Sequence, residues 1–151
     1  MSELKDRLQT DLTDAMKARD ALRTRTLRMV LTAVSAEEVA GESARELSDD
    51  EIIKLITREA KKRREAAEAF EKGGRADKAE EERAEGEVLA GYLPAQLTDS
   101  ELADLVAAAV AETGANDVKG MGRVMKAVTP KVAGRAEGSR VAAEARRQLS
   151  A

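Results

Sequence analysis

The sequence predicts an all-α protein: a long-helix hairpin domain followed by a small three-helix bundle. Three observations carry this expectation. Charged residues make up 36% of the 151 positions and hydrophobic ones, mostly Ala, Leu and Val, 42%, a composition suited to long amphipathic helices. Apolar residues recur at the spacing of a helix face in one segment after another, and no segment alternates as a strand would. Two S/T-x-x-E capping boxes, Ser48–Glu51 and Thr98–Glu101, each open such a segment.

The helices follow in order. Ser2 caps the first, whose buried stripe is Leu4, Leu8, Leu12 and Ala15/Met16. The stripe lapses at Lys17–Asp20. Asp20 then caps a second helix carrying Leu22, Leu27, Val30, Leu31 and Val34 to near Ala40, with Gly41 as its left-handed stop and a polar loop over Glu42–Leu47. The Ser48 box starts a third helix through Ile52, Ile53, Ile56, Ala60, Ala67 and Phe70, which ends at Gly73–Gly74. A fourth, Glu-rich and weakly apolar, spans about 76–90. Helices this long and polar need a partner, so antiparallel pairing across Gly73–Gly74 is expected.

Tyr92-Leu93-Pro94 interrupts the pattern, because proline cannot continue a helix and pushes the residue before it into an extended conformation. The expected domains are 1–93 and 94–151. In the second, the Thr98 box opens a helix presenting Leu102, Leu105, Val106, Ala109 and Val110 and stopped by Gly114. Asn116 or Asp117 caps the next, which ends at Gly134. Glu137 or Ser139 starts the last, with Val141, Ala142, Ala145 and Leu149 inward.

Charge is unevenly placed. Between Lys119 and Arg140 stand Lys119, Arg123, Lys126, Lys131, Arg135 and Arg140 against one acid, Glu137, a net +5 in a chain whose total is −3, which leaves −8 for the rest. At 100° per residue Met121, Val124, Met125 and Val128 share one face. Lys119, Arg123 and Lys126 form a stripe opposite, flanked by Gly120 and Gly122 near the helix start. A basic stripe beside glycines and a helix N-terminus suits a phosphate backbone; the alternative is an ordinary solvated face. Lys61-Lys62-Arg63-Arg64 also concentrates charge, but Glu59 and Glu68 lie at ion-pair spacing, so a solvated face is the reading there. The looser cluster Lys17, Arg19, Arg23, Arg25 and Arg28 spreads over several faces.

Several chemistries lack their residues. There is no cysteine or histidine, which removes thiolate nucleophiles, the commonest general base and the commonest transition-metal ligand. No phosphate-binding glycine loop, nucleophile elbow or calcium loop is present, so no catalytic or metal-binding residue and no cofactor is expected. Phe70 and Tyr92 are the only aromatics, too few for a base-stacking platform, so a nucleic acid would be met through shape and backbone. No apolar run approaches a membrane span and no secretory signal opens the sequence; a cytoplasmic protein without membrane contact is expected.

One set of motifs resembles a known family. Tyr92-Leu93-Pro94-Ala95-Gln96-Leu97, Met121-Gly122-Arg123-Val124-Met125, Pro130-Lys131-Val132 and Gly134-Arg135-Ala136-Glu137-Gly138, with Arg63 and Phe70-Glu71-Lys72-Gly73-Gly74-Arg75 before them, are similar to the YqeY-like family. These small bacterial proteins are grouped with the tail of the B subunit of glutamine-dependent tRNA amidotransferase, where the tail contacts tRNA and the chemistry lies in other domains and subunits. The resemblance implies Gly122, Arg123, Lys131, Gly134 and Arg135 as an RNA surface, beside Lys119, Gly120, Lys126 and Arg140 of the same basic stretch. Gly120 stands where the family more often has a small acid, and Lys126 where glycine is usual. The function expected is a non-catalytic tRNA-binding accessory protein, with tRNA, and an amidotransferase or another tRNA-handling protein, as partners. Two alternatives stay open: a component or helper of a carbon–nitrogen ligase using glutamine as amide donor, and a helical protein–protein interaction module.

Overall fold

The computed structural model describes residues 2–150, and among them no strand occurs. The helices are α1 (Glu3–Lys17), α2 (Ala21–Glu38), α3 (Asp49–Lys72), α4 (Ala76–Ala90), α5 (Asp99–Thr113), α6 (Met121–Val132) and α7 (Gly138–Ser150), with a 3-10 turn over Val118–Gly120 before α6. The chain divides into two compact units, Met1–Leu93 and Pro94–Ala151.

In the first unit, Ser2 caps α1 by accepting from the Lys5 N–H at 3.1 Å. Asp49, in the first turn of α3, accepts at the same helix end from the Leu4 N–H at 3.2 Å and from the Ser2 hydroxyl. Asp20 caps α2 through the Arg23 N–H, and Ser48 and Glu51 close their capping box at the head of α3. Arg45 holds the Glu51 carboxyl down at about 2, assisted by the Ser48 N–H. The core joins Leu4, Leu8 and Ala15 of α1 to Leu27, Val30 and Val34 of α2, Ile52, Leu55 and Ile56 of α3, and Leu89 of α4. Ala15 takes the inward place at the end of α1, leaving Met16 42% exposed.

The second helix does not reach Gly41. It ends at Glu38, and Gly41 has no positive φ. The cause is Glu38 itself. Its carboxylate accepts from Lys5 Nζ at 2.8 Å and from the Leu47 N–H at 3.2 Å, and its carbonyl accepts from the Arg45 N–H at 2.9 Å. Loop and first helix converge on that residue and turn the chain there. The Lys5 ammonium, before the Leu47 N–H, keeps the Glu38 carboxyl below its ordinary range.

α3 and α4 pack along one another after a turn through Gly74, at φ +77°. Alanines Ala60, Ala67 and Ala79 line much of the buried seam. A half-buried arginine crosses it: Arg63 lies 3.3 Å from Glu85, 3.5 Å from Glu82 and 3.9 Å from Glu59, and Arg25 of α2 meets the other oxygen of Glu85 at 3.0 Å. Arg63 Nε and Glu82 Oε2 are buried without a hydrogen-bond partner. Where α4 ends, Tyr92 is buried, donates to Asp11 at 2.5 Å and lies under the Arg7 guanidinium, 4.6 Å from the ring centre. Burial first, then the Asp11 carboxylate, pushes the Tyr92 hydroxyl up to about 12, against the opposing Arg23 and Arg7.

The second unit packs α5, α6 and α7 on one another. Thr98 and Glu101 close the capping box of α5, and Gly114, at φ +70°, ends that helix. Its core contains Leu97, Leu102, Val106, Ala109, Ala115, Val124, Val128, Val132, Ala136, Val141, Ala145 and Leu149.

Candidate nucleic-acid interface

The basic helix is built in two steps. Asp117 caps the 3-10 turn, not the α-helix, accepting from the Lys119 N–H at 2.9 Å, and α6 begins at Met121 without a side-chain cap. Val124 and Val128 are buried, Met121 and Met125 half-buried against the same core. Lys119, Arg123 and Lys126 are exposed, as the opposite face of the helix requires. Among the described residues the Lys119 and Lys126 ammonium groups have no partner, and Arg123 reaches only the Thr113 carbonyl, at 3.4 Å. Gly122 is open, for a Cβ built there meets nothing within 4 Å.

Gly120 stands at the N-cap of α6, near the helix start as the sequence reading expects, but it faces inward. It is buried, and a Cβ added to it would stand 2.5 Å from the Ala115 Cβ. Glycine is needed here for the turn to close on Ala115, and the same added Cβ would stand 3.4 Å from Arg123 Nη2, so Gly120 also adjoins the arginine of the stripe. The end of α6 also differs in detail. Ala133, at φ +49°, takes the left-handed cap position and donates to the Thr129 carbonyl, and Gly134 follows at φ +77°.

The remaining basic residues of the stretch are occupied within the unit. Lys131 meets Glu112 at 2.8 Å. Arg135 Nε donates to the Ala95 carbonyl at 2.9 Å, its own carbonyl accepts from the Leu97 N–H at 2.8 Å, and its guanidinium lies 3.9 Å from Glu101. Arg140 meets Asp99 at 2.8 Å. Arg135 and Arg140 thus clasp the segment leading into α5 and the acids of its first turn. The Thr98 capping box was the available sequence signal, since it places Asp99 and Glu101 where two arginines can answer them. Of the cations in this unit, Lys131, Arg135, Arg140 and Arg147 have carboxylate partners, while Lys119, Arg123, Lys126 and Arg146 have none among the described residues. Three of those four are the stripe.

The run Lys61–Arg64 is a surface of ion pairs, with Lys61 at 3.9 Å from Glu65, Lys62 at 3.2 Å from Glu59 and Arg63 in the α3–α4 seam. Arg23 and Arg25 are likewise tied, to Asp11 and Glu85. Among the described residues no group of three or more His, Cys, Asp or Glu side chains could hold a metal ion, and no helix is long and apolar enough to cross a membrane.

These features define a small all-helical protein of two compact units, the second bearing a cationic stripe free of acidic partners. The chain matches the family described as Yqey-like protein over residues 5–149, and it belongs to that family. No curated protein matches it.

Proposed function

We propose that this protein is a non-catalytic tRNA-binding accessory protein whose second unit docks on the phosphate backbone of folded RNA. The observation that carries the reading is the stripe: Lys119 of the 3-10 turn and Arg123 and Lys126 of α6 lie exposed with no carboxylate partner among the described residues, beside the bare backbone of Gly122. A helix rises 1.5 Å per residue, so the stripe extends over roughly 10 Å, long enough to follow successive phosphates of one strand. Family membership, and the family's grouping with the tRNA-contacting tail of an amidotransferase subunit, favour tRNA over other polyanions. The scarcity of aromatic side chains favours docking by shape and charge over base stacking. The binding machinery is accordingly Lys119, Gly122, Arg123 and Lys126; Gly120 closes its turn on Ala115, Gly134 follows the left-handed end of α6, and Lys131, Arg135 and Arg140 are engaged by Glu112, the segment before α5 and Asp99.

The test is the salt dependence of tRNA binding by the full chain carrying Arg123→Glu with Lys126→Glu. Each lost phosphate contact lowers the slope of log affinity against log salt by about 0.9, or roughly eightfold in affinity at 0.1 M salt, so the double variant should lose about sixtyfold or more. Glu80→Lys, on an exposed α4 position, is the control and should not weaken binding. Wild-type affinity and slope in the stripe variant would overturn the reading and leave a helical protein-interaction module in its place.

A further inference from the structure

The carboxyl end of α5 sits where two cations of α6 come to it. The last turn of that helix contains no basic residue of its own; Thr113 Oγ1 and the Gly114 N–H serve the Ala109 and Val110 carbonyls, but no local cation meets the negative end of the dipole. Glu112 adds a full negative charge at the same place. Arg123 donates to the Thr113 carbonyl, and Lys131 Nζ lies 2.8 Å from Glu112 Oε2. Both side chains of that ion pair are largely exposed, 61% for Glu112 and 45% for Lys131, so neither is needed to fill the core. The Lys131 ammonium, before its longer-range charge, draws the Glu112 carboxyl below the ordinary range, as expected of a pair formed in the folded chain. Lys131 follows Lys126 by five residues, roughly 7.5 Å along the helix and about 140° around it, so a released ammonium on its flexible four-carbon stem would extend the cationic surface along the flank of the stripe.

We infer that Glu112 limits the affinity of the stripe for polyphosphate strands by holding Lys131 out of the contact. The inference rests on the RNA-binding reading of Lys119, Arg123 and Lys126. Released from Glu112, Lys131 becomes a fourth phosphate contact. A bound strand then displaces one more counterion, and affinity rises with a steeper salt dependence.

The experiment compares full-length wild type, Glu112→Gln and Glu112→Gln with Lys131→Gln, titrated with a tRNA transcript between 50 and 200 mM salt. Glu112→Gln should bind about eightfold more tightly at 0.1 M salt, with a slope steeper by about 0.9, and Lys131→Gln added to it should abolish the gain. An unchanged Glu112→Gln, while wild type binds tRNA through the stripe, overturns the role of Glu112 and leaves the function standing. A gain that survives Lys131→Gln also overturns it, because it then reflects removal of a repelling charge. Wild type that fails to bind tRNA removes both readings.

Discussion

Two glycines two positions apart should respond to alanine in opposite directions. At Gly120 the new Cβ would lie 2.5 Å from the Ala115 Cβ and 3.4 Å from its Cα, whereas carbon atoms rest at about 3.5–4.0 Å. Ala115 cannot yield as a long side chain would. It is itself buried, and it follows Gly114, whose left-handed φ of +70° fixes the turn. Overpacking of this kind costs about 1–3 kcal/mol. A loss of about 2 kcal/mol lowers the melting temperature of a unit this size by roughly 8–16 °C. At Gly122 the Cβ meets nothing, and alanine in a helix is favoured over glycine by about 0.5–1 kcal/mol, so Gly122→Ala should raise stability. Circular dichroism melts of the full chain measure both shifts, and hydrogen exchange of peptides within 98–150 assigns them to the second unit. Binding responds differently from packing at Gly122, where alanine should weaken tRNA binding while stabilising the fold; at Gly120 the added methyl also stands 3.4 Å from Arg123 Nη2. Equal shifts of the same sign would refute the placement of Gly120 against Ala115.

Three further outcomes follow from the contacts. Tyr92 has its hydroxyl raised above the ordinary 10 to about 12, so the stability it contributes is present below pH 10 and lost as pH rises through 12. That amounts to about 2–3 kcal/mol, and urea melts at pH 9 and 12 should show the loss in wild type but not in Tyr92→Phe. Arg135→Ala removes the hydrogen bond to the Ala95 carbonyl and should destabilise the second unit by about 1 kcal/mol in urea unfolding, with the tRNA salt slope unchanged. Arg63→Ala strands Glu82 in the half-buried α3–α4 seam and leaves Glu59 and Glu85 to Lys62 and Arg25 alone; a cost of about 2 kcal/mol is expected, read as faster hydrogen exchange in α4.

Features fixed by neighbouring residues were legible in the sequence. The capping hydroxyls of Ser2, Ser48 and Thr98 act on an N–H three residues away, and Gly114 stops α5 by its own conformation, so each could be read from a short window. The end of α2 could not. Glu38 turns the chain because Lys5, 33 positions earlier, reaches it, and no local rule ranks that above the glycine at 41. The basic stretch divides the same way. Helical periodicity separates Lys119, Arg123 and Lys126 from Val124 and Val128. It says nothing of Glu112 or Asp99, which stand 19 and 41 positions from the cations they hold. Gly120 misled because glycine near a helix start suits both an anion and a tight packing contact, and only Ala115 decides between them.

The carboxylate of Asp49 accepts hydrogen bonds at the head of α1 while standing in the first turn of α3. During synthesis this sets an order of events. α1, at 15 residues, is too short to be more than marginally stable alone, and about 32 residues must be added after Lys17 before Asp49 exists. At ribosomal speeds of about 5–20 residues per second that delay is roughly 2–6 s, against the microsecond or less in which a helix forms. The head of α1 therefore waits seconds for its second cap on every nascent chain, held meanwhile by what α2 can cover, and a pause upstream of Asp49 prolongs that wait in direct proportion.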